Sequence, residues 1–381
     1  MVQFRVAFDI LKNSKKERTR RMGKKNKILL GAALAVCLLS GCTNEKEENK
    51  TAYRELGINY LNEGNYGEAI TAFDKALEQC MGDISADEID ITYYKATALY
   101  AAGDVDGAVE CMSNVIAFDA SYADASYMRG CMYLSQGNTE GALADFAVAI
   151  KENENDYELY IGIYENLSAY GLTDDAENYI NKAFSISGNE AENNLYRGRM
   201  YILIGEYENA LAELEVAKKG ELPEADFYMG KLYEAQGDVV TAESYYQAYL
   251  AAGNADAATL CALGNVYLAS GNYEKAAEYL VEALGCEEVS NKKGVMEDLI
   301  IAYEYAGDFD FAWNVMQEYA TSYTLTADLE REYIFLENRQ MKEEVEEATE
   351  PETEEGTEAS DTESEDTESS QTPEGEGTTA E

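Results

Sequence analysis

Between about residue 50 and residue 326, large apolar, small and polar positions recur in blocks close to 34 residues long. In the first block Leu56, Tyr60 and Phe73 are the large members, while Gly57, Ala69 and Ala76 are the small ones. The beat is marked by a glycine followed five residues later by an alanine. Eight such pairs fall in register with the blocks: Gly64/Ala69, Gly103/Ala108, Gly137/Ala142, Gly171/Ala176, Gly205/Ala210, Gly237/Ala242, Gly271/Ala276 and Gly307/Ala312. Successive glycines lie 39, 34, 34, 34, 32, 34 and 36 residues apart. Self-similarity at that period signals a stacked repeat architecture that grows without needing a new core for each added length.

Each block predicts two helices, A and B, packed antiparallel around a turn. The glycine follows helix A, where a left-handed cap is needed, and Asn65, Asp104, Asn138, Asp238, Asn272 or Asp308 follows it, suited to cap helix B. Small residues fall where two backbones approach closely and a larger side chain would overpack the contact. Large ones fill the gaps between units, each contributing about 1.5–3 kcal/mol when fully buried. Only three prolines occur, so the helices run largely uninterrupted.

These residues resemble the tetratricopeptide repeat (TPR), a helix–turn–helix unit with the pattern W-x2-L-G-x2-Y, then A-x3-F, then A. Tyr53-x2-Leu56-Gly57-x2-Tyr60, with Ala69-x3-Phe73-x2-Ala76, follows nearly the whole pattern, with Tyr53 in the tryptophan place. Gly130/Tyr133 with Phe146, Gly198/Tyr201 with Leu214 and Gly264/Tyr267 with Leu280 repeat it, whereas Tyr249 stands where the sixth unit should end in alanine. Three copies depart from it: Ala96 and Met112 in the second, Tyr164 and Leu167 in the fourth, and Ile300 in the eighth. The resemblance implies an all-α, right-handed superhelical solenoid of about eight TPR units over 50–326. A capping helix over 327–342, with Leu329, Tyr333, Leu336 and Met341 available for one face, would cover its end.

The N-terminal 41 residues read as a secretory signal. Ten basic residues precede a 12-residue apolar run from Ile28 to Leu39, which is too short to span a membrane. Met22-Gly23-Lys24-Lys25 is a second, more ordinary start for such a signal, which would leave 1–21 as an extension. Leu39-Ser40-Gly41-Cys42 resembles the lipobox of bacterial lipoproteins. That resemblance implies diacylglycerol on the Cys42 thiol, cleavage before it, and anchoring at the extracytoplasmic face of the cell membrane through 42–49 as a short linker.

Charge sharpens the picture. Residues 1–41 hold ten basic and two acidic side chains, so their removal leaves 19 Lys and Arg against 72 Asp and Glu, a net charge of −53. Such a surface repels phosphates, which argues against nucleic acid as a partner. From Glu343 to Glu381 there are 17 acidic residues and no basic one, a composition expected to stay disordered.

Chemistry has little to work with. There is no histidine, no glycine-rich phosphate loop, and no CxxC pair among seven cysteines. The expectation is therefore a non-enzyme without metal or cofactor. Binding is the remaining route. The TPR resemblance places Arg54, Tyr93, Tyr127, Ile161, Leu195, Phe227 and Cys261 at the fifth place of helix A, and Arg199 and Lys231 at the ninth, lining a groove for a protein or peptide. Arg199 and Lys231 form a basic spot able to hold a carboxylate or phosphate; the plainer alternative is internal pairing with Glu165, Glu192 or Glu234. Thirty tyrosines keep a glycan- or small-solute-binding lipoprotein open as a second reading.

Overall fold

A computed structural model describes residues 41–349, apart from 81–84, 189, 287, 288 and 290. Residues 1–40 of the signal segment and 350–381 of the acidic tail lie outside the described residues, as does the Cys42 side chain.

The described residues form seventeen α-helices and no strand, taken up as consecutive packed pairs. Unit 1 pairs α1 (Gly41–Asn62) with α2 (Tyr66–Glu78), unit 2 pairs α3 (Ala86–Ala101) with α4 (Val105–Phe118), and unit 3 pairs α5 (Ala123–Ser135) with α6 (Thr139–Glu152). Units 4 and 5 are α7 (Tyr157–Ala169) with α8 (Thr173–Phe184), and α9 (Ala191–Leu203) with α10 (Tyr207–Lys219). Units 6 to 8 are α11 (Glu224–Ala235) with α12 (Val239–Ala251), α13 (Ala257–Ser270) with α14 (Tyr273–Leu284), and α15 (Lys292–Ala306) with α16 (Phe309–Ser322). Helix α17 (Ala327–Thr349) follows. First helices of neighbouring units also touch one another, as α5 does α7 and α9 does α11, which builds a face from A helices alone.

The glycine of the beat does what the sequence asks of it. All eight, from Gly64 at φ +76° to Gly307 at φ +88°, adopt the left-handed conformation at the A–B turn. The following polar residue caps helix B in four of the six expected places: Asp104, Asn138, Asp238 and Asn272 each accept a backbone N–H three residues on. Asn65 and Asp308 make no such bond, and the Asn65 amide donates to Glu63 instead.

Pairing inside each unit rests on a complementarity between one position of helix A and one of helix B. A Cβ added to Gly57 would lie 2.5 Å from the Phe73 ring, and one on Gly130 2.6 Å from Phe146; Gly198 meets Leu214 and Gly230 meets Tyr246 in the same way. Where helix A carries a side chain at this place, helix B carries an unbranched or smaller partner: Ala96 with Met112, Tyr164 with Ile180, Ile300 with Met316. Of these, only Ala96 with Met112 keeps the summed volume near that of glycine with phenylalanine; Tyr164 with Ile180 and Ile300 with Met316 are bulkier, and the Tyr164 hydroxyl donates to the Leu203 carbonyl of the next unit. Phe73 and Phe146 thus fill the space within a unit and also meet Tyr94 and Tyr179 of the next one, as expected of fillers between units, whereas Leu56 is 40% exposed, against that expectation.

Boundaries differ at both ends. Residues 42–49, read as a linker, are the opening turns of α1, where Lys50 is buried against Glu47, Asp87 and Glu88 and ties this extension to α3. The chain divides into two units, 1–336 and 337–381. Within the first, Leu329, Tyr333 and Leu336 of α17 join a cluster with Met296, Ile300 and Met316, so the helix covers unit 8. The helix continues to Thr349, seven residues beyond the expected 342, and Met341 is half exposed.

Candidate functional site

Units 4 to 6 contribute α7, α9 and α11 to the A-helix face, and Arg199 sits at their centre. Its Nη1 donates to Glu158 Oε1 at 2.5 Å and its Nη2 to Glu158 Oε2 at 3.0 Å, a bidentate pair reaching from unit 5 back to unit 4. The guanidinium carbon also lies 5.2 Å from the Tyr196 ring and 4.8 Å from the Tyr228 ring, within cation–π range of both. Tyr157 stacks at 5.1 Å on Tyr196. The Arg199 side chain is only 17% exposed.

Burial opposes the charge on Arg199, yet Tyr228 and Glu158 outweigh it and hold its pKa above the ordinary guanidinium value. Burial raises the Glu165 carboxyl, the positive field of Arg199 pulls it back, and the negative charge of Glu158 adds to the rise. The cluster is therefore one cation facing two carboxylates, with one of them already engaged.

Lys231 takes the internal route. Its Nζ donates to Glu234 Oε2 at 3.0 Å, and the Tyr246 hydroxyl donates to the same oxygen at 2.5 Å. It also lies 6.0 Å from the Phe227 ring. Among the sequence candidates for pairing, Glu234 is used by Lys231, whereas Arg199 takes Glu158, about two helical turns before Glu165. A side chain as long as arginine reaches the first turn of the preceding A helix, and that register is absent from any local spacing.

The fifth-place residues divide. Tyr127 is wholly buried, packs 5.8 Å from Phe146, and accepts a hydrogen bond from Asn166 Nδ2 at 3.0 Å, so it serves inter-unit packing and does not line a groove. Tyr93 is buried as well. Phe227 is half-buried in an aromatic nest with Tyr228, Tyr246 and Tyr249. Tyr249, out of place in the repeat pattern, supplies the ring that Phe227 leans on. Arg54 pairs with Asp90 of unit 2 and lies over the Tyr94 ring. Tyr196, Tyr228 and Glu158 are the members of the central cluster that the sequence reading passed over; their signal was position, at helix A places facing Arg199.

Other tyrosines cover one another. Tyr233 and Tyr245 stack at 5.5 Å, and Tyr267 and Tyr279 at 5.4 Å, both pairs nearly parallel. Each pairing occupies a ring face that a bound sugar would use. Among the described residues no cluster of acidic or sulfur ligands could hold a metal ion.

Family models described as tetratricopeptide repeat match residues 51–83, 93–157, 224–252 and 257–286, so the chain carries tetratricopeptide repeats. It is similar to the TPR repeat-containing protein MJ1428 of Methanocaldococcus jannaschii, 26% identical over 190 residues that make up 49% of this chain and 32% of that protein. It is also similar to the mouse DnaJ homolog subfamily C member 3, 26% identical over 201 residues, 48% of this chain and 39% of that one. The chain therefore spans well under half the length of these relatives. Among solved structures, a tetratricopeptide repeat protein from Parabacteroides merdae aligns at 16% identity and a TM-score of 0.44, over 67% of this chain and 99% of its own.

Proposed function

We propose that the protein is a lipid-tethered scaffold on the extracytoplasmic face of the cell membrane, which holds peptide segments of other envelope proteins on its A-helix face. The repeats make a protein-interaction scaffold the coarse reading. The observation that carries the finer one is the α7–α9–α11 face, where Tyr196 and Tyr228 flank a guanidinium already held by Glu158. A rigid aromatic surface with its charge internally satisfied adds little ordering cost when a peptide lies on it. Recognition then rests on ring faces and backbone-facing polar groups, not on a free cation.

Tethering is supported by Leu39-Ser40-Gly41-Cys42. Cys42 belongs to α1, so at about 1.5 Å per residue it stands roughly 12 Å along the helix axis from Lys50. A flexible chain of that length could extend to about twice as far. The scaffold would accordingly be held close to the bilayer, and the net negative charge of the mature chain leaves the lipid as its anchor. Growth with a labelled fatty acid, followed by membrane fractionation of wild type and Cys42→Ala, tests the tether. Label and membrane fraction should both be lost in the variant; an unlabelled protein that stays soluble in wild type contradicts it.

A further inference from the structure

The first and eighth units meet. A Cβ at Gly64, in the α1–α2 turn, would lie 3.7 Å from the Ser322 carbonyl oxygen at the end of α16. None of the other seven beat glycines has a neighbour of this kind; the space where a Cβ would stand is open at each of them. Burial above all pushes the Tyr323 phenol up, and the Tyr66 phenol is close enough to add to that rise. Gly64 and Tyr66 are both half-buried, although they stand at the turn of a terminal unit. On the other side of the contact, Ala320 to Leu325 and Glu330 line an open pocket of about 470 Å³ beside the segment that Gly64 approaches.

We propose that units 1 and 8 form an intramolecular clasp, with the α1–α2 turn seated on the α16–α17 connection, and that the A-helix face it encloses takes an extended, unfolded peptide segment rather than a folded domain. The choice of occupant rests on the peptide-binding reading above; the clasp itself does not. Packed repeats propagate each unit's rotation to the next, so a contact between the ends fixes the curvature accumulated over eight units. A partner must then enter along the enclosed face, which a flexible segment does readily and a folded domain does not. The contact is small, one turn against one connection. It is suited to opening and closing while the units themselves stay folded.

The full-length mature chain carrying Asn65→Cys and Ser322→Cys tests this with a short bis-maleimide reagent, the link being mapped by mass spectrometry. Asn65→Cys with Ser185→Cys, at the corresponding connection after unit 4, is the control pair with the same native thiols. The clasp predicts an intramolecular 65–322 link forming at least about tenfold faster than the 65–185 link, as expected for groups held together rather than tethered at a distance. Equal rates, or links only between molecules, overturn the clasp. The linked protein is then offered a reduced, alkylated and thereby unfolded polypeptide and the same polypeptide in its folded form. Retention of the unfolded form alone is the expected result. Retention of the folded form overturns the enclosure, and retention of neither, with the link in place, overturns the peptide-binding reading while leaving the clasp standing.

Discussion

Arg199 grips Glu158 through both terminal nitrogens, at 2.5 and 3.0 Å, and so joins the A helix of unit 5 to the first turn of the A helix of unit 4. Tyr228 of unit 6 lies against the same guanidinium. One side chain thereby fixes the relation of three consecutive units, and the face they build depends on it.

Removing Glu158 should cost more than removing an ordinary surface acid. Glu158→Ala strands a mostly buried cation, and losses of about 3 kcal/mol are typical when one partner of a buried pair is deleted. Arg199→Lys should lose much of the same stability, since an ammonium cannot make the two-pronged contact. Lys231→Ala, whose pair with Glu234 is more exposed, should change stability by about 0.5 kcal/mol or less. Urea unfolding followed by circular dichroism ranks the three.

The complementarity between helix A and helix B can be tested by exchange. Gly130→Ala drives a methyl group into Phe146 and should destabilise unit 3 by about 1–3 kcal/mol. Adding Phe146→Met reproduces the Ala96–Met112 arrangement of unit 2, and it should recover part of that loss. A double-mutant cycle on unfolding free energies would show coupling of the opposite sign to the single effect; strict additivity would refute the pairing rule.

Acidity acts at the far end of the array. Burial above all, then the Glu332 carboxyl beside it, lifts Glu304 from 4.5 to about 8. Folding therefore takes up a proton between those two values, so this contribution is fully present below about 4.5 and is lost as pH rises through about 8. Hydrogen-exchange protection factors in α15, taken relative to the intrinsic base-catalysed rate at each pH, should fall between pH 5 and pH 9, and Glu304→Gln should flatten that trend. In unit 2 the sign reverses: burial opposes ionisation of Glu88, but hydrogen bonds from Ser85 and Cys80 hold it down at about 2, so its contribution is lost only in strong acid.

The architecture was legible because its signals are local. Gly64 and its seven counterparts need a left-handed turn, and Phe73, Phe146 and Tyr246 need a glycine opposite; both requirements show as fixed spacings within one unit. The candidate site was legible only in part, because its contacts cross units. Arg199 and Lys231 stood out as cations in an acidic chain, yet the partner of Arg199 lies 41 residues back. Tyr127 illustrates the converse: the helix A place it holds faces a groove by the rule of the repeat, but Phe146 on its own unit and Asn166 on the next enclose it. The extension of α1 over 42–49 escaped notice because Lys50 is held by Asp87 and Glu88, residues of the following unit.

The central claim is that the A-helix face of units 4 to 6 binds other envelope proteins, and in-cell photocrosslinking tests it most directly. A photoreactive amino acid replaces Lys231 on that face, and in a second strain it replaces Val240, which is 71% exposed on a B helix. Mass spectrometry of the adducts should identify a small, reproducible set of envelope proteins captured from position 231 and not from position 240. The absence of adducts at 231, or the same proteins from both positions, would contradict the account.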